Sequence, residues 1–215
     1  MKKYLLLFLL FCFSQILYSQ GEYTFTVFGE PQVSWMTPDS KDVNSDGSKI
    51  SFNVGFNFDN FFADRYAYST GISINSIKGK LHYKESKSIT GKDADYNITD
   101  DVVSYNLQYI NIPLGLKFKT VEIGYTKFFA HLGLDAAINI KSTADFPDTK
   151  DVNVSEEINW YNLGYYIGAG VEYSIGGQTA LVGGLTYKNG FLDITKNNSN
   201  KVTSGNVSLR LGILF

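Results

Sequence analysis

The sequence predicts an all-β chain: an eight-stranded antiparallel up-and-down barrel of the kind that crosses a bilayer on its strands. Three observations predict it. Large apolar residues recur at alternate positions in eight separate segments, the period of a strand with two unlike faces. The apolar content is unusually aromatic, with Tyr 15 and Phe 16 accompanied by Gly 20 and only Pro 4 in 215 residues, a mixture that suits strands and turns better than helices. The connections alternate between short and long, so that short and long ends lie on opposite sides, as in an up-and-down barrel.

The first segment carries Tyr23, Phe25, Val27, Val33 and Trp35 on one face. The second is the most regular, because Ile50, Phe52, Val54, Phe56 and Phe58 alternate with Ser51, Asn53, Gly55 and Asn57. Tyr66, Tyr68, Ile72 and Ile74 mark the third. The fourth opens on Tyr105, Leu107 and Tyr109 and then changes phase to Ile110, Ile112, Leu114, Leu116 and Phe118. A bulge near Tyr109 accounts for that slip, and Pro113 suits a locally broken ladder. The fifth runs Phe128, Ala130, Leu132, Leu134, Ala136, Ile138, Ile140, and the sixth Tyr161, Leu163, Tyr165, Ile167, Ala169, Val171, Tyr173. Leu181, Leu185 and Tyr187 make a weaker seventh, and Val207, Leu209, Leu211, Ile213 and Phe215 carry the eighth to the last residue.

The short connections fall near residues 60–64, 120–124 and 176–179, and the long ones at 37–48, 84–101, 142–158 and 189–203. Residues 1–19 read as a secretory signal peptide: Lys2 and Lys3, an apolar run from Tyr4 to Phe13, and a small residue at Ser19. Ser14 and Gln15 interrupt that run well short of the roughly 20 apolar residues of a spanning helix. Residues 20–215 then form the barrel domain. Cys12 leaves with the leader, so the mature chain has no thiol for a disulfide, a zinc cluster or a nucleophile. Loss of Lys2 and Lys3 leaves 17 Lys and Arg against 21 Asp and Glu, with no basic stripe, which argues against nucleic acid as a partner.

Alternation alone does not say which face is inside. A soluble calyx would put the apolar face inward around a ligand. The aromatics argue otherwise: Tyr23, Phe58, Tyr66, Phe118, Phe128, Tyr173 and Phe215 lie toward the short-turn end, and Trp35, Tyr105, Trp160, Tyr161 and Tyr187 toward the long-loop end. These are two girdles at two membrane interfaces. The other face carries Glu30, Lys117, His131, Asp135, Glu172 and Arg210, and a basic residue facing lipid near the midplane costs about 2–4 kcal/mol. Charge therefore goes inward, where Arg210 is expected to join Glu172, Glu30, Asp135 and Lys117 in a paired network.

The stretch Tyr109-Ile110-Asn111-Ile112-Pro113-Leu114-Gly115-Leu116-Lys117 resembles the isoleucine-proline-leucine strand of PorT-like outer-membrane β-barrel proteins of Bacteroidetes. Gly164 to Tyr173, with Gly168, Gly170 and Glu172, and the stretch from Tyr187 to Ile194 are similar to later strands of that family. The terminal Phe215 resembles the insertion signal read by the barrel-assembly machinery. The resemblance implies an integral outer-membrane protein of generally undefined role; the family's namesake is tied to protein secretion and gliding, and no residue singled out here carries that role across.

No constellation predicts catalysis. His131 and Asp135 share a face, but four residues along a strand span about 13 Å, too far for a base and its orienting acid. Asp42, Asn44 and Asp46, followed by Gly47, match the first half of a calcium loop, yet Asn53 stands where a bidentate Glu is expected. They are a weak calcium candidate, since Asp, Asn and Gly also make ordinary turns; no other cofactor is implied. Three long loops carry net negative charge, −2, −2 and −4, and the last +1, which predicts a solvated acidic rim. The function expected is a structural or surface-interaction barrel with a filled lumen. Its partners would be outer-membrane lipid and lipopolysaccharide, the assembly machinery during insertion, and secretion-system or surface proteins. The alternatives are a secretion accessory, a lumen or rim enzyme, and a soluble lipid-binding calyx.

Overall fold

The computed structural model describes residues 22–92, 94–196 and 201–215. The leader expected at residues 1–19 lies outside them. Eleven strands follow in order: β1 (Tyr23–Pro38), β2 (Val43–Ala63), β3 (Tyr66–Tyr83), β4 (Lys87–Thr90), β5 (Asp95–Ile98), β6 (Asp101–Lys119), β7 (Thr126–Asp145), β8 (Val152–Asn153), β9 (Tyr161–Gly176), β10 (Thr179–Gly190) and β11 (Val202–Leu214). Eight of them pair antiparallel in the ring β1-β2-β3-β6-β7-β9-β10-β11, and β11 pairs back onto β1 with Leu214 opposite Thr26. The last residue completes the seam: Phe215 and Phe25 exchange both backbone hydrogen bonds, at 2.8 and 3.0 Å. Two left-handed glycines, Gly176 and Gly177 (φ +132° and +58°), turn β9 into β10 where a Cβ would strain the backbone.

The period-two pattern sets the two faces as the sequence predicts. In β2 the exposed Ile50, Phe52, Val54, Phe56 and Phe58 alternate with buried Ser51, Asn53 and Asn57. Aromatic pairs such as Tyr23–Phe58 and Tyr66–Phe118, with ring centroids 5.4 and 5.7 Å apart, knit the short-turn girdle.

The strands run further than the alternation shows. β2 has 21 residues, β6 19 and β7 20, about twice the 9–11 that span a bilayer. The first expected long loop shrinks to residues 39–42, the second holds the β4–β5 hairpin, and the third holds β8 on the end of β7. Beyond the apolar band the barrel wall continues and its polarity inverts.

β6 displays the inversion within one strand. Its inward residues are Val103, Tyr105, Leu107 and Tyr109, then Asn111 and Lys117; its outward ones are Ser104, Asn106 and Gln108, then Ile110, Ile112 and Leu114. The faces never exchange, so the phase slip expected at Tyr109 is a change of surroundings and not a bulge in β6. The register shift opposite Tyr109 belongs to β7. Gln108 faces Lys141 and Tyr109 faces Asn139, leaving Ile140 as the extra residue. β7 buries Asp135 and Ala137 before it and Ser142 and Ala144 after it, the re-aiming a bulge produces. Tyr105 is likewise corrected: at 3% exposure it lies inside the barrel, not in the girdle.

The inward apolar residues of the extended wall meet apolar residues from the loops. Met36, Leu81, Val103, Leu107 and Tyr109 pack in one cluster with Ile89, Ile98, Phe146, Val154, Ile158 and Ile194. The long-loop mouth is thus closed by a hydrophobic core, as in a soluble domain.

Candidate functional site

Beneath that cap the lumen is lined by buried charge. Toward the short-turn end, Lys117 from β6 lies between Asp59 of β2 (2.7 Å) and Glu172 of β9 (2.8 Å), while Lys119 reaches the other oxygen of Glu172 at 2.9 Å. Ser69 donates to the free oxygen of Asp59. In the next group, Arg210 Nε of β11 donates to Glu30 of β1 at 2.6 Å, and Asn53 Nδ2 donates to the second Glu30 oxygen at 2.6 Å. The Arg210 guanidinium also covers the Phe28 ring at 4.3 Å. Closer to the cap, Asp135 Oδ2 accepts from Asn111 at 2.7 Å and from Lys188 at 3.1 Å.

Four carboxylates thereby meet four cations. The balance has a physical reason: Glu30 is 0% exposed, and a charge so removed from water persists only when paired and hydrogen-bonded. All six charged or titratable residues placed inward on sequence grounds, Glu30, Lys117, His131, Asp135, Glu172 and Arg210, are buried in the lumen. Within the expected network Arg210 takes Glu30, because β11 adjoins β1 in the ring, while Glu172 on β9 is met by the lysines of β6. Asp59, Lys119 and Lys188 complete the network and were not singled out. Asp59 and Lys188 occupy inward positions of alternating segments, so period two was a signal for both.

Among the described residues His131 has no carboxylate partner. Its Nε2 contacts Thr186 Oγ1 at 3.2 Å, and its ring meets Phe129 and Tyr166 edge-on. The cavity bounded by Asp59, Lys117, His131 and Arg210 measures ≈ 10 Å³, and one beside Asp135 and Lys188 ≈ 30 Å³. These spaces admit water and no substrate. His82 sits near the end of β3 with Asp100 Oδ1 at 2.9 Å. Asp42 ends the connection before β2, and Asn44 and Asp46 lie along the start of that strand with Asn44 opposite His82 across the ladder, where a calcium loop would wrap its oxygens round a centre. Among the described residues no three His, Cys, Asp or Glu gather into a metal-binding group.

The cap has its own electrostatics. Tyr83 and Tyr105 share a hydroxyl hydrogen bond of 2.8 Å, and burial pushes the Tyr83 phenol up to about 12. Lys87 is held below its ordinary value by burial, against the pull of Glu157 and Asp193. Glu157 also accepts the Thr90 N–H at 3.0 Å, tying the β4–β5 hairpin to the loop after β8.

The profile of the family described as outer membrane protein beta-barrel domain matches residues 17–212 of the chain. Among solved structures, Neisserial surface protein A is 13% identical, with 89% of this chain and 95% of that one covered and a TM-score of 0.49. Ail, the attachment invasion locus protein of Yersinia pestis, solved with the heparin analogue sucrose octasulfate, is 14% identical over 90% and 99% of the two chains, with a TM-score of 0.44. The outer membrane protein OprG of Pseudomonas aeruginosa is 12% identical over 90% and 95%, with a TM-score of 0.46. No curated protein matches the sequence.

Proposed function

The chain belongs to the outer membrane protein beta-barrel domain family, and from that premise we propose that it is a closed barrel of the outer membrane that acts through its outer surface and not as a conduit. The observation that carries this reading is the double closure of the lumen, by four neutralised ion-paired carboxylates in the spanning part and by an apolar core in the mouth. A diffusion pore needs neither and is blocked by both. The long-loop end faces outward from the cell and the short turns face the periplasm, following the asymmetry of such barrels. Residues 1–19 serve as the leader that delivers the chain there.

The surface offered to partners is the folded cap, with apolar residues inside and the acidic side chains of the loops outside. Catalysis is not part of the reading, because His131 has a hydroxyl and no carboxylate as its partner and no substrate-sized space beside it. The stretch from Tyr109 to Lys117 supports placing the chain near the PorT-like proteins of Bacteroidetes.

Purified protein in a planar bilayer tests the reading. Only brief, irregular current is expected. Steady single-channel conductance would move the function to transport.

A further inference from the structure

On three adjacent strands the outward face changes from apolar to polar within a few residues, with lysines on the outer two strands and amides on the one between. On β3 the exposed Ile72 and Ile74 give way to Ser76, Lys78 and Lys80; on β6 Ile112 and Ile110 give way to Gln108 and Asn106; on β7 Ile138 and Ile140 give way to Lys141. The register brings these positions together, since Lys78 is opposite Asn106 and Lys141 is opposite Gln108. Lys78 and Lys141 thus flank two amides from opposite sides, with backbones roughly 12 Å apart given strand spacing and rise. Two long lysine side chains can close on one small anion across that distance.

None of Lys78, Lys80 and Lys141 has an ion-pair partner among the described residues. The carboxylates farther along the same strands are engaged elsewhere: Asp145 accepts the Asp151 N–H and Asp101 the Thr99 N–H. The backbone beneath the patch is also fixed. The β2–β3 ladder is interrupted between Ser48–Gly79 and Asn53–Asn75, and the buried Ser34 hydroxyl fills the break by accepting the Lys78 N–H at 2.8 Å and donating to the Lys78 carbonyl at 2.7 Å. On the other side of the barrel the same boundary carries aromatic rings, Trp35, Tyr187, Tyr165 and Phe191 in successive contact. The cationic sector is therefore local and not a belt.

Unpaired cations directly above a lipid-facing stripe meet the layer where the acyl chains of the outer leaflet end and their headgroups begin. We propose that the face formed by Lys78, Lys80, Asn106, Gln108 and Lys141 binds the phosphorylated headgroup of an outer-leaflet glycolipid. The lysines hold the phosphate, the two amides hydrogen-bond sugar or phosphate oxygens, and the isoleucines below hold the acyl chains. The proposal rests on the outer-membrane reading above and names the partner of that surface.

The test uses the full chain, purified in detergent and mixed with a bisphosphorylated lipid A or its dephosphorylated form, with bound lipid counted by native mass spectrometry. The wild type is expected to retain the phosphorylated lipid about tenfold better. The triple variant K78Q/K80Q/K141Q should lose that preference, the arginine triple at the same positions should keep it, and K41Q/K150Q/K201Q, which removes equal charge from the loops, should also keep it. Equal retention by the first triple overturns the site, and so does equal loss in the loop control, which would mean bulk attraction only. Full displacement by inorganic phosphate at matched concentration overturns the lipid as source. Each variant is checked for the migration shift of an unboiled barrel. A chain that stays soluble without detergent removes the membrane reading and the lipid site together, whereas an inserted triple variant that keeps its lipid removes the site alone.

Discussion

Arg210 and Glu30 form the lumen contact with most at stake, because Glu30 has no water to turn to once its partner is gone. Arg210→Ala should lower unfolding stability in detergent by about 3–5 kcal/mol. The double variant Arg210→Met with Glu30→Gln, which removes both charges, should recover much of it, and a double variant as unstable as the single would refute the pairing. At Tyr83 the expected effect depends on pH. Burial raises the phenol from 10 to about 12 in the folded cap, so the neutral form is the one folding favours. The stabilisation is complete below about pH 10 and is lost as pH rises toward 12, at most about 3 kcal/mol for two units. Amide exchange in the β4–β5 hairpin should accelerate over that window in the wild type and far less in Tyr83→Phe.

Among the elements, β2 gives the cleanest test of facing. Val54→Arg places a cation in lipid at a cost of about 2–4 kcal/mol near the midplane, and should block insertion. A polarity-sensitive label on a cysteine at 54 should report lipid and one at 53 polar surroundings; reversed results would favour an inward apolar face. β7 carries the other element-scale prediction. Deleting Ile140 removes the extra residue of the bulge and leaves Lys141 alone opposite Gln108, so the ladder pairs without a break and Ser142 and Ala144 keep their inward positions. The loops should stay as resistant to proteolysis as in the wild type and the barrel should migrate as folded, whereas rapid cleavage of the loops would show that the bulge itself is needed to aim the cap. The sequence disclosed an irregularity at this level of the wall but assigned it to the wrong strand. Alternation reports where apolar residues lie, and β6 keeps its faces while the medium around it changes.

For the whole molecule, the seam and the cap make separate contributions. Phe215 closes the ring through paired backbone bonds to Phe25, so its deletion should reduce the amount of folded barrel recovered from the outer membrane, and unchanged recovery would remove the importance of the seam. Replacing residues 86–99 with a short glycine linker takes Ile89 and Ile98 out of the cap. The shortened protein should bind apolar dyes and melt earlier, yet still show no steady conductance, since the ion-paired lumen remains. A stable pore in that variant would assign the closure to the cap alone.

The sequence by itself determined the eight ring strands, their order, the outward apolar face of the spanning band and the inward placement of Glu30, Lys117, His131, Asp135, Glu172 and Arg210. Each follows from local information, a period of two and the high cost of charge in lipid. The tertiary structure decided what depends on closing the ring. Arg210 meets Glu30 across the seam of the last strand with the first, 180 residues apart in sequence, at a register that no periodicity identifies. It also decided that Tyr105, Leu107 and Tyr109 face inward, and that the long connections fold over them as a cap. An apolar residue on a strand reads the same whether lipid or a protein core covers it, and only the assembled wall shows which of the two lies on each side.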